Sequence, residues 1–301
     1  MSNKKILVTG GTGFFGSSLA ELLLEGKWQE YSFTLLSRNA EKFAVLHPAF
    51  AKLNNIEFVS ADVCNLSALQ GEYAYIIHAA TPLINQPCDE ELRKIILKGT
   101  QEVLALAQRA GTEKILYISS GGVYGNGTAP FSEEMVCNPV SAYGKAKLEA
   151  EQLVLQSSIP SSIMRGFAFC GKHLPRDAHF AFGNFLEAAL NNQEIIIKGD
   201  GTPLRSYMHA DDLACWMMTM LFKGENKRIY NCGSDVSISI RELAELIKKV
   251  TNSQSNIKVL TPPPAPGTPV NSYVPEISRA RQELGLNLTY SLPEAVRKSC
   301  F

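Results

Sequence analysis

The chain has 301 residues, 45% of them hydrophobic, and its 29 basic residues balance 29 acidic ones. That length and apolar share allow a full core, in one large domain or two smaller ones, and exclude wholesale disorder. A formal net charge of zero gives no sign of nucleic acid or an anionic membrane surface as a partner.

Taken in chain order, the opening "MSNKKILVTGG" runs straight into a strand over 4–9 and leaves no room for a signal peptide. Helical spacing over 14–26 follows, then strand-like runs at 33–37, 56–60 and 74–79. A long helix is read over 89–111, then strands at 114–119 and 161–167. The strand runs are nearly continuously apolar, as expected for a parallel sheet covered on both faces. Strand–helix alternation of this kind predicts an α/β, doubly wound parallel sheet over 1–167, with 205–233 returning to it. After residue 168 regularity fades. The stretches "CGKHLPRDAHFAFG" and "TPPPAPGTPV" read as loops, so 168–204 and 234–301 are expected to form a smaller, irregular substrate-binding region.

Seven scattered cysteines with no C-x-x-C speak for reduced thiols in a cytoplasm rather than disulfides or a zinc site, and no metal is expected. The longest apolar run, "LACWMMTMLF" at 213–222, is far below the roughly 20 residues that span a bilayer. The expectation is a soluble, cytoplasmic protein.

The first turn, "TGGTGFFG", spaces Gly10, Gly13 and Gly16 as G-x-x-G-x-x-G between the first strand and the first helix. Gly10 suits a tight turn, Gly13 lets backbone approach a pyrophosphate, and Gly16 allows close helix packing. The helix start, with Phe14 and Phe15, offers free N–H groups to phosphate. At the second strand's end, where Asp or Glu would bond the 2′-hydroxyl of NAD, stand Ser37 and Arg38. Arg38 suits a 2′-phosphate, which favours NADP(H) with NAD(H) as the alternative; the competing reading is a solvated surface arginine. Asp62, followed by Val63, either bonds the adenine or caps a helix.

In "SAYGKAK", Tyr143 and Lys147 stand four residues apart, on one helix face. With ten tyrosines in the chain and lysine at roughly one position in seventeen, about 0.6 such pairs arise by chance. The spacing alone decides nothing. A neighbouring ammonium would lower a phenol pKa that is about 10 unperturbed and create a proton carrier. About twenty residues earlier, "YISSGGVYG" puts Ser120 at the end of a central strand.

The glycine turn, "IIHAATP" (76–82), "YISSGGVYG" and "SAYGKAK" together resemble the extended short-chain dehydrogenase/reductase family, in its nucleotide-sugar epimerase, dehydratase and 4-ketoreductase branch. The resemblance covers nearly the whole chain. It implies a Rossmann-type fold, Tyr143 as acid/base, Lys147 on the nicotinamide ribose, and Ser120 polarising the substrate oxygen. Ala79 and Ala80 would face the cofactor. "GDGTPLRSYMHADDLA" (199–214) implies Arg205 as a diphosphate clamp, for which a planar guanidinium is suited. Asn184 is a further substrate candidate. Asp211 and Asp212 read as caps of the next helix, and His209 lacks the neighbours of a metal ligand. A nucleotide-diphosphate sugar is the implied substrate, and a homodimer through helices 89–110 and 141–156 is implied too.

Two departures shape the expected reaction. Dehydratases of the branch carry Asp-Glu where this chain has Gly121 and Gly122, so ordinary 4,6-dehydration is not expected. Ile96 stands where the family has an asparagine. Hydride transfer at a ring carbon remains, with C4 keto reduction favoured and a 4-epimerase with retained NAD as the alternative. An atypical dehydratase or a non-catalytic NADP(H) sensor stays behind these. Envelope polysaccharide or glycosylated metabolite synthesis is the pathway class the resemblance implies.

Overall fold

The structure, a computed structural model, describes residues 3–82, 88–176, 180–265 and 267–301. Its first half runs β1 (Lys4–Thr9), α1 (Phe14–Leu24), β2 (Tyr31–Ser37), α2 (Ala40–Leu46), α3 (Pro48–Ala51), β3 (Ile56–Ser60) and β4 (Tyr75–His78). Then come α4 (Asp89–Ala110), β5 (Lys114–Ser120), α5 (Ala142–Gln156) and β6 (Ser161–Gly166). The six strands and two long helices read from the sequence fall within two residues of their expected ranges. The second half is more broken: β7 (Phe169–Cys170), α6 (Ala181–Leu190), β8 (Ile195–Ile197), β9 (Leu204–Arg205), β10 (Met208–His209), α7 (Ala210–Lys223) and β11 (Arg228–Cys232). It closes with β12 (Ile238–Ser239), α8 (Ile240–Val250), β13 (Ile257–Val259), β14 (Ser272–Tyr273), α9 (Ser278–Leu284) and α10 (Leu292–Lys298). The two stretches expected to be loops include Asp177, Ala178, His179 and Pro266, which lie outside the described residues.

Seven parallel strands form the main sheet in the order β11, β6, β5, β4, β1, β2, β3. Both faces are covered, which explains the unbroken apolar runs. Ile6 and Val8 of β1 pack with Leu19, Leu23 and Trp216 of α1 and α7 on one side. Leu7, between them, packs with Val103 and Leu106 of α4 on the other. Each such fully buried aliphatic side chain contributes about 1.5–3 kcal/mol. The strand order reverses between β4 and β1, and the carboxyl ends of the strands at such a reversal are the usual ligand site of these sheets.

The smaller region has its own core, in which Phe182 and Leu186 of α6, Ile195 and Ile197 of β8, Leu243 and Ile247 of α8 and Val296 of α10 meet. Helices α8 and α10 each start at a capping box, Ser239 with Glu242 and Ser291 with Glu294. The expected capping role of Asp211 and Asp212 is corrected. The cap of α7 is His209, whose Nδ1 accepts the Asp211 amide at 3.1 Å. Asp212 is buried and instead accepts the Thr289 and Tyr290 amides, at 3.0 and 3.3 Å for one carboxylate oxygen. It therefore ties the C-terminal segment to α7. No described helix is long and apolar enough to cross a membrane.

Candidate functional site

The glycine turn sits against the end of β4. Gly10 has φ +70°, and a β-carbon there would stand 2.8 Å from the Ala80 Cα. Only glycine satisfies both demands. A β-carbon on Gly16 would fall on the Gly11 carbonyl, which locks the start of α1 onto the turn. Gly11, missed by the sequence reading, is itself packed on β2, its β-carbon position 2.7 Å from the Leu35 Cα. Gly13 is exposed and caps α1 with no side-chain hydrogen bond, so the first-turn amides stay free. Phe14 and Phe15 are half-buried and both pack on Phe169 of β7, with ring centroids 6.2 and 5.7 Å away. They join the turn to the smaller region.

At the end of β2, the Thr12 hydroxyl donates to Ser37 Oγ at 2.9 Å, and Arg38 is exposed. Asp62 starts no helix, so the capping alternative is corrected. Its Oδ1 accepts the Cys64 amide at 2.9 Å in a local turn. Val63 packs against α4 at Gly99. The Ala79 amide donates to the Thr9 carbonyl and the Ala80 amide to Thr9 Oγ1. Behind them His78 is buried, with Nδ1 2.7 Å from Thr9 Oγ1 and Nε2 3.2 Å from Thr100 Oγ1. The Thr100 hydroxyl donates to the Ile96 carbonyl, so His78 Nε2 must be the protonated nitrogen in this network. Burial pushes His78 down to about 3, so it stays neutral.

Ser120, Tyr143 and Lys147 converge. Ser120 ends β5, and its Oγ accepts the Gly122 amide at 3.0 Å, opening a single 3₁₀ turn over Gly121–Tyr124. Ser141 caps α5 by accepting the Gly144 amide, which sets Tyr143 and Lys147 on the first two turns. The Lys147 ammonium donates to Thr81 Oγ1 at 2.8 Å and to the Ile118 carbonyl at 2.9 Å. An ammonium has three donors, so one remains for a ligand. It lies 5.0 Å from the centre of the Tyr117 ring and 5.9 Å from that of Tyr143.

One electrostatic expectation is corrected. The phenol of Tyr143 is pushed up to about 12 by burial, with its hydrogen-bonding neighbour Ser120 pulling down. Desolvation disfavours the phenolate more than the neighbouring groups favour it. Lys147 is pushed down to about 7 by burial, opposed by Glu151. Ile96, in place of the family's asparagine, is buried with Tyr117 against the Tyr143 ring.

The remaining candidates come from the smaller region. Arg205 of β9 is half-buried, with Nη1 donating to the Leu204 carbonyl at 2.7 Å and to Asn271 Oδ1 at 3.0 Å. It pairs in register with Tyr273 of β14. That tyrosine, unmarked by any motif, puts its hydroxyl against Gly121, and burial pushes its phenol up. Asn184 lies half-buried on α6, and among the described residues its side chain bonds none of these groups.

A glycine turn that admits a diphosphate, a lysine with a spare donor and two hydroxyls at a strand end form a site fit for a dinucleotide and a hydroxylated or keto substrate. Residues 6–233 match the sequence profile of the NAD dependent epimerase/dehydratase family.

The chain belongs to that family.

Its relatives of known activity differ in reaction. It is 30% identical to the UDP-glucose 4-epimerase of Mycolicibacterium smegmatis, over 98% of this chain and 97% of that one. It is 28% identical to UDP-glucuronic acid decarboxylase 5 of Arabidopsis thaliana, over 98% and 88%. The crystal structure of UDP-glucuronic acid 4-epimerase from Bacillus cereus, with UDP-glucuronic acid and NAD, matches with a TM-score of 0.85. It shares 25% identity, covering 98% of each chain. For a member of this NAD-dependent family, the glycine turn and Lys147 are the parts that fit a nicotinamide dinucleotide.

Proposed function

We propose that the chain catalyses reversible hydride transfer at C4 of the hexose of a nucleotide-diphosphate sugar. One observation carries the reading: Ser120, Tyr143 and Lys147 converge at the carboxyl ends of β4 and β5, while Gly121 and Gly122 supply no acid. The turn at Gly10–Gly16 with the α1 amides would hold the diphosphate of the cofactor, Lys147 its nicotinamide ribose, and Ser37, Arg38, Asp62 and Val63 its adenosine end. Bound nicotinamide supplies a hydride acceptor and donor at C4 and, when oxidised, a positive charge.

The residues handle the proton. Tyr143, protonated in the free chain, gives its proton to the sugar oxygen in the reducing direction. In the oxidising direction the hydroxyl's proton goes to the Tyr143 phenolate, a form that the Lys147 ammonium and the positive charge of a bound oxidised nicotinamide would favour. Ser120 hydrogen-bonds that oxygen, a contact that strengthens as negative charge develops there. Lys147 stabilises the phenolate. Arg205 would hold the substrate diphosphate, so that remote binding energy orients the ring.

Two net reactions use this machinery. The full-length likeness to 4-epimerases, one of them solved with NAD, supports 4-epimerisation with the cofactor retained. The exposed Arg38 beside Ser37 supports the second reading, C4 keto reduction by NADPH. The test incubates the purified chain with UDP-glucose or UDP-glucuronic acid, and separately with a 4-keto nucleotide sugar plus NADPH. Interconversion of C4 epimers without absorbance change at 340 nm supports the first reading, and stoichiometric loss of absorbance the second. Neither change, with the chain folded and cofactor bound, would remove both. Mass spectrometry of the cofactor carried by the purified chain separates NAD from NADP.

A further inference from the structure

Beneath the site lies a buried ionic cluster that no motif marked. Glu151, on α5, has no exposed surface, and Arg165, on β6, is 3% exposed. Their contact is bidentate, with Arg165 Nε 3.0 Å from Glu151 Oε1 and Nη2 2.7 Å from Oε2. Ser119, next to Ser120 on β5, donates its hydroxyl to Glu151 Oε1 at 2.5 Å. Arg165 also lies over the Tyr124 ring, 4.9 Å from its centre, and the Tyr124 hydroxyl donates to Asn231 Oδ1 on β11. One carboxylate therefore joins α5 to the ends of β5 and β6.

The spacing gives this cluster a role in the chemistry. Glu151 follows Lys147 by four residues, as Lys147 follows Tyr143, so all three leave one face of α5. We propose that Glu151 is a positioning residue of this site, fixing α5 against Ser120 and supplying the buried counter-charge one helical turn from Lys147. A buried ion pair is weak evidence for stability, because desolvation offsets its attraction. Its placement between the proton-handling helix and the strand bearing Ser120 is better explained by geometry and charge at the site. Other titratable groups facing Lys147 cannot substitute. His78 on β4 is neutral, Tyr117 on β5 and Tyr143 on α5 are protonated phenols held above their ordinary values by burial, and Arg165 on β6 is cationic. Glu151 is the group that opposes the burial of Lys147.

The inference rests on the proposed reaction only in placing Lys147 at the site, and its test needs no turnover. The chain is labelled at lysine ¹³Cε, and Lys147 is assigned by the signal missing in Lys147→Arg. Its titration is followed in the full chain, in Glu151→Gln, and in Glu151→Gln/Arg165→Gln. The double variant removes both charges together and so leaves no orphaned buried ion. The expected result is a Lys147 midpoint lowered in Glu151→Gln by on the order of one pH unit, and lowered less in the double variant, where the opposing Arg165 cation goes as well. A midpoint that stays or rises in folded Glu151→Gln, or one that falls further in the double variant than in the single one, overturns the proposal, since a merely structural strut would lower melting temperature without moving it. A lowered midpoint in a chain with no nucleotide-sugar turnover would leave this assignment standing and remove the reaction.

Discussion

The hydroxyl of Tyr273 lies 2.6 Å from where a β-carbon on Gly121 would stand, and the edge of the Phe167 ring lies 2.7 Å from the same point. Position 121 is therefore glycine because a tyrosine from β14 fills the space that a side chain would take. The position at which dehydratases of the branch carry an acid is closed in this chain by packing. Gly122 is less confined, with Ser120 Oγ at 3.3 Å and Tyr143 Cδ1 at 4.0 Å. Gly121→Ala should cost about 1–3 kcal/mol through overpacking, and Gly122→Ala less than about 1 kcal/mol. Urea denaturation of both variants checks this, and equal costs would refute the crowding at 121.

Tyr143→Phe should lower turnover about 10²–10⁴-fold while leaving cofactor affinity within about threefold. Steady-state kinetics with calorimetric titration of the cofactor reads both. Unchanged turnover would mean that another group moves the proton.

Burial of Lys147 has a pH signature in the free chain. Its folded value of about 7 lies below the ordinary lysine value of about 10.4. Between these values the unfolded chain binds the extra proton, so stability rises with pH across that window and is lost as pH falls through the folded value. Unfolding free energy of the natural chain minus that of Lys147→Met should increase from about pH 7 to 9, by at most about 1.4 kcal/mol per unit. A flat difference would show that the ammonium keeps its ordinary value.

If Arg38 pairs with a 2′-phosphate, Arg38→Ala should weaken NADP binding by about 1.5–3 kcal/mol, the worth of a charge-assisted contact, and spare NAD. Equal losses for both dinucleotides would make Arg38 a general surface charge, and no loss would make it a bystander.

Much of this was readable in one dimension because the signals are local. A glycine turn between a strand and a helix, apolar runs of strand length, and a four-residue spacing on a helix each depend on neighbours within a few positions. Other features depend on residues far apart in the chain. Thr81 meets Lys147, Tyr273 meets Gly121, and Asp212 holds Thr289. The Tyr143 phenol shows why this matters. Spacing put a cation four residues away, but burial of the phenol outweighed it and reversed the expected direction.

By itself, then, the sequence determined the strand and helix ranges of the first half and the glycine turn, since periodicity and spacing are properties of the chain, whereas Ser120, Tyr143 and Lys147 stood out as a set only through the resemblance to a family. Only the tertiary structure decided which charges are desolvated, which donor is left over, and which side chain from the last third of the chain closes the site. Burial and long-range contact belong to the packed molecule and have no counterpart in any short stretch of residues.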